Sequence, residues 1–395
     1  MTETSSWAAR LGGETFLAQS CFRAHKVIRS TGNTSAASPL SWDELNEIIA
    51  THRLEPPRMR LSRAGEAVPA TAYSLLRTNR RGTSWYQPEP AEFHARLAEG
   101  ASLVIDAIDQ IHAPIRESAE ELERFFRTPV QVNAYASWTA EEGFGTHWDD
   151  HDVVVLQVDG AKRWRIYGPT RQAPAWRDVE APEAPTDEPL ADIVLTPGDV
   201  LYLPRGWWHA VTADQGTPSL HLTFGLATQT GAEFLGWAVD ELRVNATVRQ
   251  DVPRHSNQGE RAAYLEAVRK DVLALLDEPD VLDRWARSID STHPGRPRLS
   301  LPHLGTVPAE PRTTVKLTAP RAHLDQDDQV VTLAGAGKEF AFALPVAPLL
   351  HLLAEGAPVT LAALAQHSGL TVDQAAEVMT ALVAGQAAVV VGSSR

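Results

Sequence analysis

Between residues 130 and 230 the chain stops reading as helix. It becomes a succession of short apolar runs cut by turn signals, and no other stretch constrains the fold as much. Val153–Val158 and Ala161–Tyr167 flank Asp159-Gly160, the spacing of a β-hairpin with a tight turn. Ile193–Leu195, the turn Thr196-Pro-Gly-Asp199 and the run from Val200 repeat the pattern of strand, turn and strand, and Ser219–Leu226 is one more strand. Short strands with frequent turns predict an antiparallel sandwich or jelly roll.

The flanks read differently. Ser41 precedes an apolar-periodic segment as a helix cap does, Pro90–Leu97 reads as a helix with proline in its first turn, Ala101–Ile108 as a strand, and Glu117–Phe126 as an acidic amphipathic helix. Helical spacing returns at Glu233–Val244 and Gly259–Leu276. A Pro/Gly/Ser-rich linker covers Ser291–Pro311. Beyond it, helices over Pro348–Glu355, Leu361–His367 and Val372–Ala384, then a strand from Ala387, give the element order of a winged helix. A chain of 395 residues has room for two or three domains. The expected division is 1–230 catalytic, 231–300 helical and 311–395 winged-helix-like.

Composition narrows the function. The net charge of −14 disfavours a chain whose main task is gripping nucleic acid or anionic lipid, and it favours a basic partner. Over 311–395, five basic residues face seven acidic ones, and Val372–Ala384 has no basic residue, so no direct DNA binding is expected there. No apolar run reaches the roughly 18 residues of a membrane span. The polar start Met1–Thr15 lacks a signal core, and the lone Cys21 suits a reducing compartment, so the expected location is the cytoplasm.

Chemistry concentrates in two places. Gly145-Thr-His147-Trp-Asp149 places a nitrogen and a carboxylate two residues apart, on one face if the segment is extended. Pro197-Gly-Asp-Val-Leu-Tyr-Leu-Pro-Arg-Gly-Trp-Trp-His209 delivers a second histidine after a proline corner, and in a double-stranded barrel it would arrive at the same mouth. Two histidines and one carboxylate with adjacent open positions form the facial triad of non-haem Fe(II) oxygenases. The plainer readings are a satisfied core histidine at His209, a simple His147–Asp149 pair, and a cupin-type binding protein without iron chemistry. Lys162 shares a strand face with Trp164 and Ile166, an otherwise apolar set. A cation buried there needs an anion, which the distal carboxylate of 2-oxoglutarate would supply; the alternative is a lysine snorkelling out along Trp164. Six of 11 tryptophans (138, 148, 164, 176, 207 and 208) cluster in this region. They are expected in part to wall a binding site, with Trp164 as core and Trp148 packed away from the metal. Asp150 and Asp152 are candidates for the rim, as solvated turn charges or as contacts to a cationic substrate.

Asn133-Ala-Tyr135, Gly145-Thr-His147-Trp-Asp149, Val155-Leu-Gln157-Val-Asp-Gly160-Ala-Lys162-Arg-Trp164, Pro204-Arg-Gly-Trp-Trp-His209 and Ser219-Leu-His-Leu-Thr223 together resemble the JmjC-type ribosomal oxygenases, also described as cupin-4 proteins. The likeness is specific over about 100–230 and looser beyond. It implies an α+β chain: a double-stranded β-helix (jelly-roll, JmjC/cupin) core, a helical dimerisation segment and a C-terminal winged-helix-like domain. It implies a homodimeric hydroxylase using Fe(II) and 2-oxoglutarate, acting on arginine or histidine side chains of ribosomal proteins. By position, His147, Asp149 and His209 match the iron ligands, Lys162 the basic residue for the distal carboxylate, and Asn133, Ser219 and Thr223 polar positions of the cosubstrate pocket. Phe16–Arg29 and the acidic, proline-bearing Asp178–Asp192 segment do not follow the family pattern. They keep a second substrate class in view, a small molecule or biosynthetic peptide. A third reading, from another class, is a non-enzymatic cupin regulator joined to a winged helix, which the acidic C-terminal region disfavours.

Overall fold

The computed structural model describes residues 6–30, 38–175 and 182–392. The chain divides into two compact units, Met1–Thr228 and Gln229–Arg395.

The strands of the first unit are β1 Lys26–Ile28, β2 Met59–Arg63, β3 Glu66–Val68, β4 Ser74–Thr78, β5 Ser84–Pro88, β6 Ser102–Ile105, β7 Val130–Ser137, β8 Asp152–Asp159, β9 Lys162–Pro169, β10 Ala191–Leu195, β11 Val200–Leu203, β12 Trp207–Ala213 and β13 Ser219–Leu226. They form an eight-stranded sheet in the order β1-β11-β8-β13-β7-β6-β2-β3, a three-stranded sheet β10-β9-β12, and a separate ribbon β4-β5. The pairings within each are antiparallel. Two sheets with the chain passing repeatedly between them are the expected jelly-roll core.

The passage between sheets corrects the hairpin expectation. β8 and β9 do not pair with each other: β8 lies between β11 and β13 in the large sheet, and β9 between β10 and β12 in the small one. Likewise β10 and β11 belong to different sheets. The run Val153–Leu156 does not alternate because β8 is covered on both faces, as central strands are. Val154 and Leu156 join the core under the helices, while Val153 and Val155 face Trp164 and Ile166 inside the barrel. Asp159-Gly160 is therefore a sheet-to-sheet corner. Gly160 takes φ +65°, and a Cβ there would lie 1.8 Å from the carbonyl oxygen of Pro218.

Helices α1 Trp7–Leu11, α2 Gly13–Gln19, α3 Trp42–Thr51, α4 Pro90–Ala98 and α5 Ala113–Phe126 supply the rest of the first core. Its centre, with Phe16, Leu45, Ile48, Phe93, Ile115 and Leu122, packs on Val132, Leu222 and Phe224 of the large sheet. α3 starts as predicted: Ser41 Oγ accepts from the Glu44 amide at 3.2 Å, and the Ser41 amide donates to Glu44 Oε2 at 2.7 Å.

The second unit opens with helices α6 Gly231–Leu242, α7 Ala246–Arg249, α8 Gln258–Leu276 and α9 Val281–Thr292. Their shared core is small, built on Ala238, Leu242, Leu275 and Val281. Leu235, Val239 and Leu265 are more than half exposed. Strands β14 Thr314–Leu317, β15 His323–Gln326, β16 Val330–Gly335, β17 Lys338–Ala343, β18 Val359–Thr360 and β19 Ala388–Gly392 combine with α10 Ala347–Ala354, α11 Leu361–Ser368 and α12 Val372–Ala384 around a separate core. These last helices and β19 fall within a residue or two of their predicted positions. Among the described residues no helix is long and apolar enough to cross a membrane.

Candidate active site

His147, Asp149 and His209 come together. One ligand atom from each lies within 4.8 Å of the others, and among the described residues this is the one such cluster of three. The imidazole centroids of His147 and His209 are 4.3 Å apart, and His209 Nε2 is 3.6 Å from Asp149 Oδ2. The local geometry departs from a regular strand. His147 makes a single bridge, its amide donating to the His209 carbonyl at 3.0 Å and the His209 amide donating back at 2.8 Å. A register shift between Trp208 and His209 re-aims the second histidine, as bulges do. The Gly206 amide donates to the Asp149 carbonyl at 2.9 Å, tying the proline corner to the carboxylate's backbone.

The donor set fits a metal such as iron. His147 Nδ1 sits 3.0 Å from the Gly145 carbonyl and His209 Nδ1 sits 2.9 Å from the Trp207 carbonyl. With Nδ1–H donating to those oxygens, both Nε2 lone pairs are left for a cation, the usual way an imidazole ligand is oriented. Two neutral nitrogens and one carboxylate suit a first-row metal and leave further coordination positions to other ligands.

The same cavity contains Lys162, Trp164 and Val211 from the small sheet, and Tyr135, His221 and Thr223 from the large one. Register explains why. Lys162, Trp164 and Ile166 oppose Ala213, Val211 and His209, so the lysine and the second histidine lie on one face. Trp164 fills the space between, its ring 5.6 Å from His209 and 5.9 Å from His221. Lys162 is 5% exposed, which excludes the snorkelling alternative. Its Nζ donates to Ser137 Oγ, and among the described residues no carboxylate pairs with it. Burial brings its pKa down to about 7. His221, stacked parallel to Tyr135 at 5.0 Å, is held well below the ordinary histidine range by burial and by the charge of Lys162. Burial raises the Tyr135 hydroxyl to about 12, so it keeps its proton at neutral pH.

The other expected positions divide. Thr223 lines the cavity, whereas Asn133 and Ser219 do not. Asn133 Oδ1 accepts from the Ala107 amide at 3.0 Å, and Ser219 Oγ accepts from Gln157 Nε2 at 2.9 Å, both on the interior face of the large sheet. Among the described tryptophans only Trp164 lines the cavity; Tyr135 and Phe144 supply the other aromatic walls. Trp138 packs on Trp42, Trp207 on His25, and Trp208 Nε1 donates to Thr170. Trp148 is buried and outside the cavity, as expected, and Trp176 lies outside the described residues. Asp152 is not a rim charge. It is 6% exposed, accepts from the Arg205 amide at 2.6 Å, and burial raises its pKa. Asp150 sits 3.1 Å from His151 Nδ1 at the surface. Of the acidic segment, residues 178–181 lie outside the described residues, and Asp192 is already in β10, paired with Arg163 at 3.1 Å.

Arg60, Tyr135 and His221 line the cavity without having been singled out. Arg60 comes from β2, far upstream, and is paired with Asp106. The signal for His221 was present: Ser219, His221 and Thr223 alternate with Leu220 and Leu222, which marks a polar face on a strand whose other face is core.

Residues 108–234, which contain His147, Asp149, His209 and Lys162, match the JmjC domain family. A bifunctional lysine-specific demethylase and histidyl-hydroxylase NO66 from Drosophila persimilis is 35% identical over 161 residues, 41% of this chain and 23% of that protein. Ribosomal oxygenase 1 of Bos taurus is 30% identical over 233 residues, 54% of this chain and 32% of that protein. The chain thus aligns with about a quarter to a third of the length of these two relatives. Among solved structures, the Escherichia coli ribosomal oxygenase YcfD, in complex with cobalt and succinic acid, superposes with a TM-score of 0.61, covering 96% of this chain and 98% of that one at 19% identity. A second YcfD structure, with cobalt and 2-oxoglutarate, gives 0.59. That likeness extends the shared fold to nearly the whole chain, and the domain match fixes the lineage of its barrel. Over residues 108–234 the chain is a JmjC domain, similar to those of the NO66 hydroxylase and ribosomal oxygenase 1.

Proposed function

We propose that the chain is an Fe(II)- and 2-oxoglutarate-dependent oxygenase that hydroxylates a side chain of a protein, with a ribosomal protein as the favoured substrate. One observation carries the reading. A two-histidine, one-carboxylate cluster and a buried lysine that, among the described residues, has no carboxylate partner line a single cavity. Iron and 2-oxoglutarate, when bound, supply the oxidising chemistry: one atom of O2 enters a substrate C–H bond, and the other leaves in succinate as carbon dioxide is released.

The residues divide the remaining work. His147 and His209 would hold iron through Nε2 and Asp149 through its carboxylate. Lys162 would receive the distal carboxylate of 2-oxoglutarate, with the hydroxyls of Tyr135 and Thr223 as further polar contacts. In a site this dry the lysine's charge is costly until an anion arrives, which makes the pocket selective for a diacid. Neutral His221 and Trp164 wall off water beside it. Asn133 and Ser219 lie beside the pocket on the same face of the large sheet, held by the Ala107 amide and by Gln157. A protein substrate is supported by the relatives, which are named as acting on lysyl and histidyl residues or on ribosomes. The charge of −14 favours a basic segment, and Tyr135, Phe144 and Trp164 provide aromatic surface for a side-chain stem. A homodimer formed through the helices over 231–300 is part of the proposal, supported by the exposed Leu235, Val239 and Leu265, as are a winged-helix-like 311–395 with no DNA-reading role and a cytoplasmic setting.

The test incubates the full chain with iron, 2-oxoglutarate and a ribosomal protein extract and searches peptides by mass spectrometry. A ribosomal peptide heavier by one oxygen, formed along with succinate, is expected. Unmodified ribosomal proteins alongside succinate formation driven by a small metabolite would replace this substrate with the second class.

A further inference from the structure

The acidity of the chain is uneven. Residues 51–88 carry seven arginines and two glutamates and no lysine or aspartate, a local +5 within a total of −14. Three of the arginines are spent internally. Arg58 donates to Gln110 and to the Ala107 carbonyl, Arg60 pairs with Asp106, and Arg63 with Glu99 and Glu141. Arg53, Arg77, Arg80 and Arg81 are exposed, and among the described residues none of them has an acidic partner.

These four gather on and beside the ribbon β4-β5, which pairs with no other sheet. The ribbon's turn is well built. Asn79 Oδ1 accepts from the amides of Arg81 at 2.9 Å and Thr83 at 3.1 Å, and Gly82 takes φ +78°. The tip therefore presents Arg80 and Arg81 from a fixed loop. Arg77 is the direct cross-strand neighbour of Trp85, and the Arg53 guanidinium lies over the Trp85 ring at 4.2 Å. A guanidinium stacked on an indole keeps its N–H edge for a phosphate and offers its outer face to a base. Leu75 and Leu76, 46% and 61% exposed on the same ribbon, add apolar surface.

We propose that this ribbon is a binding surface for single-stranded nucleic acid, with Arg77, Arg80 and Arg81 on phosphates and the Arg53–Trp85 stack as a platform for an unpaired base. Charge complementarity selects a polyanion. The stacked planar groups favour one with exposed bases over an acidic polypeptide, which would use the arginines and leave the platform idle. The surface is independent of the metal cluster and of the oxygenase reading.

The test uses the full chain and fluorescence anisotropy with labelled mixed-sequence 12-mers, one RNA and one DNA, at about 50 mM salt because the rest of the protein is acidic. Binding of either single strand is expected, and a preference between them identifies the natural source. With three arginines on phosphates, the log–log dependence of affinity on salt should have a slope of about −2.1. In the double variant R80A/R81A that slope should fall to about −0.7, with affinity lower by tenfold or more. Both residues are exposed turn residues, so the melting temperature should be unchanged. W85A should weaken binding without altering the salt slope, which separates stacking from charge. An unchanged affinity and slope in R80A/R81A would overturn the proposal. So would polyglutamate competing as well as unlabelled single strand at equal charge, which would assign the ribbon to an acidic protein.

Discussion

Lys162 and Ser137 meet across the barrel, the ammonium of one sheet donating to the hydroxyl of the other, and no carboxylate joins them among the described residues. A buried cation satisfied by a neutral hydroxyl is an unfinished pair that a dicarboxylate would complete. Lys162→Met is therefore expected to raise the apparent requirement for 2-oxoglutarate roughly 30-fold or more, from the 2–5 kcal/mol that such pairs are worth when one side is removed. Iron affinity should change little. Isothermal titration with 2-oxoglutarate in the presence of metal and absence of oxygen reads this directly. Equal affinity in the variant would move the role to another basic residue, Arg60 being the one that also lines the cavity.

The same lysine makes a pH prediction. Its pKa is about 7 in the folded chain against 10.5 for an ordinary lysine. Between those values the unfolded chain holds the extra proton, so this group's contribution to stability rises with pH across the window. Below pH 7 both states are protonated and the burial cost is present in full. Lys162→Met removes that cost. The variant should therefore melt above the wild type at pH 6, and the gap should shrink toward pH 9, by at most about 1.4 kcal/mol per pH unit. A gap that is constant with pH would show that Lys162 is not charged against its surroundings.

Gly160 tests the crossing between sheets. Alanine there would be strained by the positive φ and would collide with the Pro218 carbonyl. A loss of about 3 kcal/mol or more is expected for Gly160→Ala in chemical denaturation. In a free two-stranded hairpin the same change would be absorbed by the turn, so a loss under about 1 kcal/mol would contradict the corner.

The sequence carried the site better than it carried the connections around it. His147, Asp149, His209 and Lys162 were legible because each pattern names a face: two residues apart in extended chain, or alternate positions along a strand. β8 and β9 read as partners in the sequence because Asp-Gly marks a reversal without saying which sheet the chain enters next. The unalternating Val153–Leu156 run was the available clue, since a hairpin strand with one wet face alternates. The tryptophans misled because clustering in sequence within strands scatters side chains to both faces: Trp207 and Trp208 point away from each other, one toward His25 and the other toward Thr170. Arg60 could not have been found at all, since its place in the cavity depends on β2 pairing with β6 across a long intervening stretch.

Assembly is open to one solution measurement. Light scattering at micromolar concentration should give twice the chain mass of 43.1 kDa. Leu235→Asp combined with Leu265→Asp, at two exposed apolar positions of α6 and α8, should give a monomer that still melts cooperatively. A wild-type monomer would remove the helical interface from the proposal.

Iron stoichiometry tests the central claim most directly. Purified chain reconstituted anaerobically with Fe(II), freed of excess and assayed by elemental analysis should hold one iron per chain. His147→Ala and His209→Ala should each lose it while melting near the wild type, because among the described residues three protein groups form the cluster that would hold the metal. Asp149→Ala should weaken it, and Lys162→Met should keep it. Retention of one tightly held iron per chain by His147→Ala would place the metal elsewhere and end the assignment of this cluster as the catalytic centre.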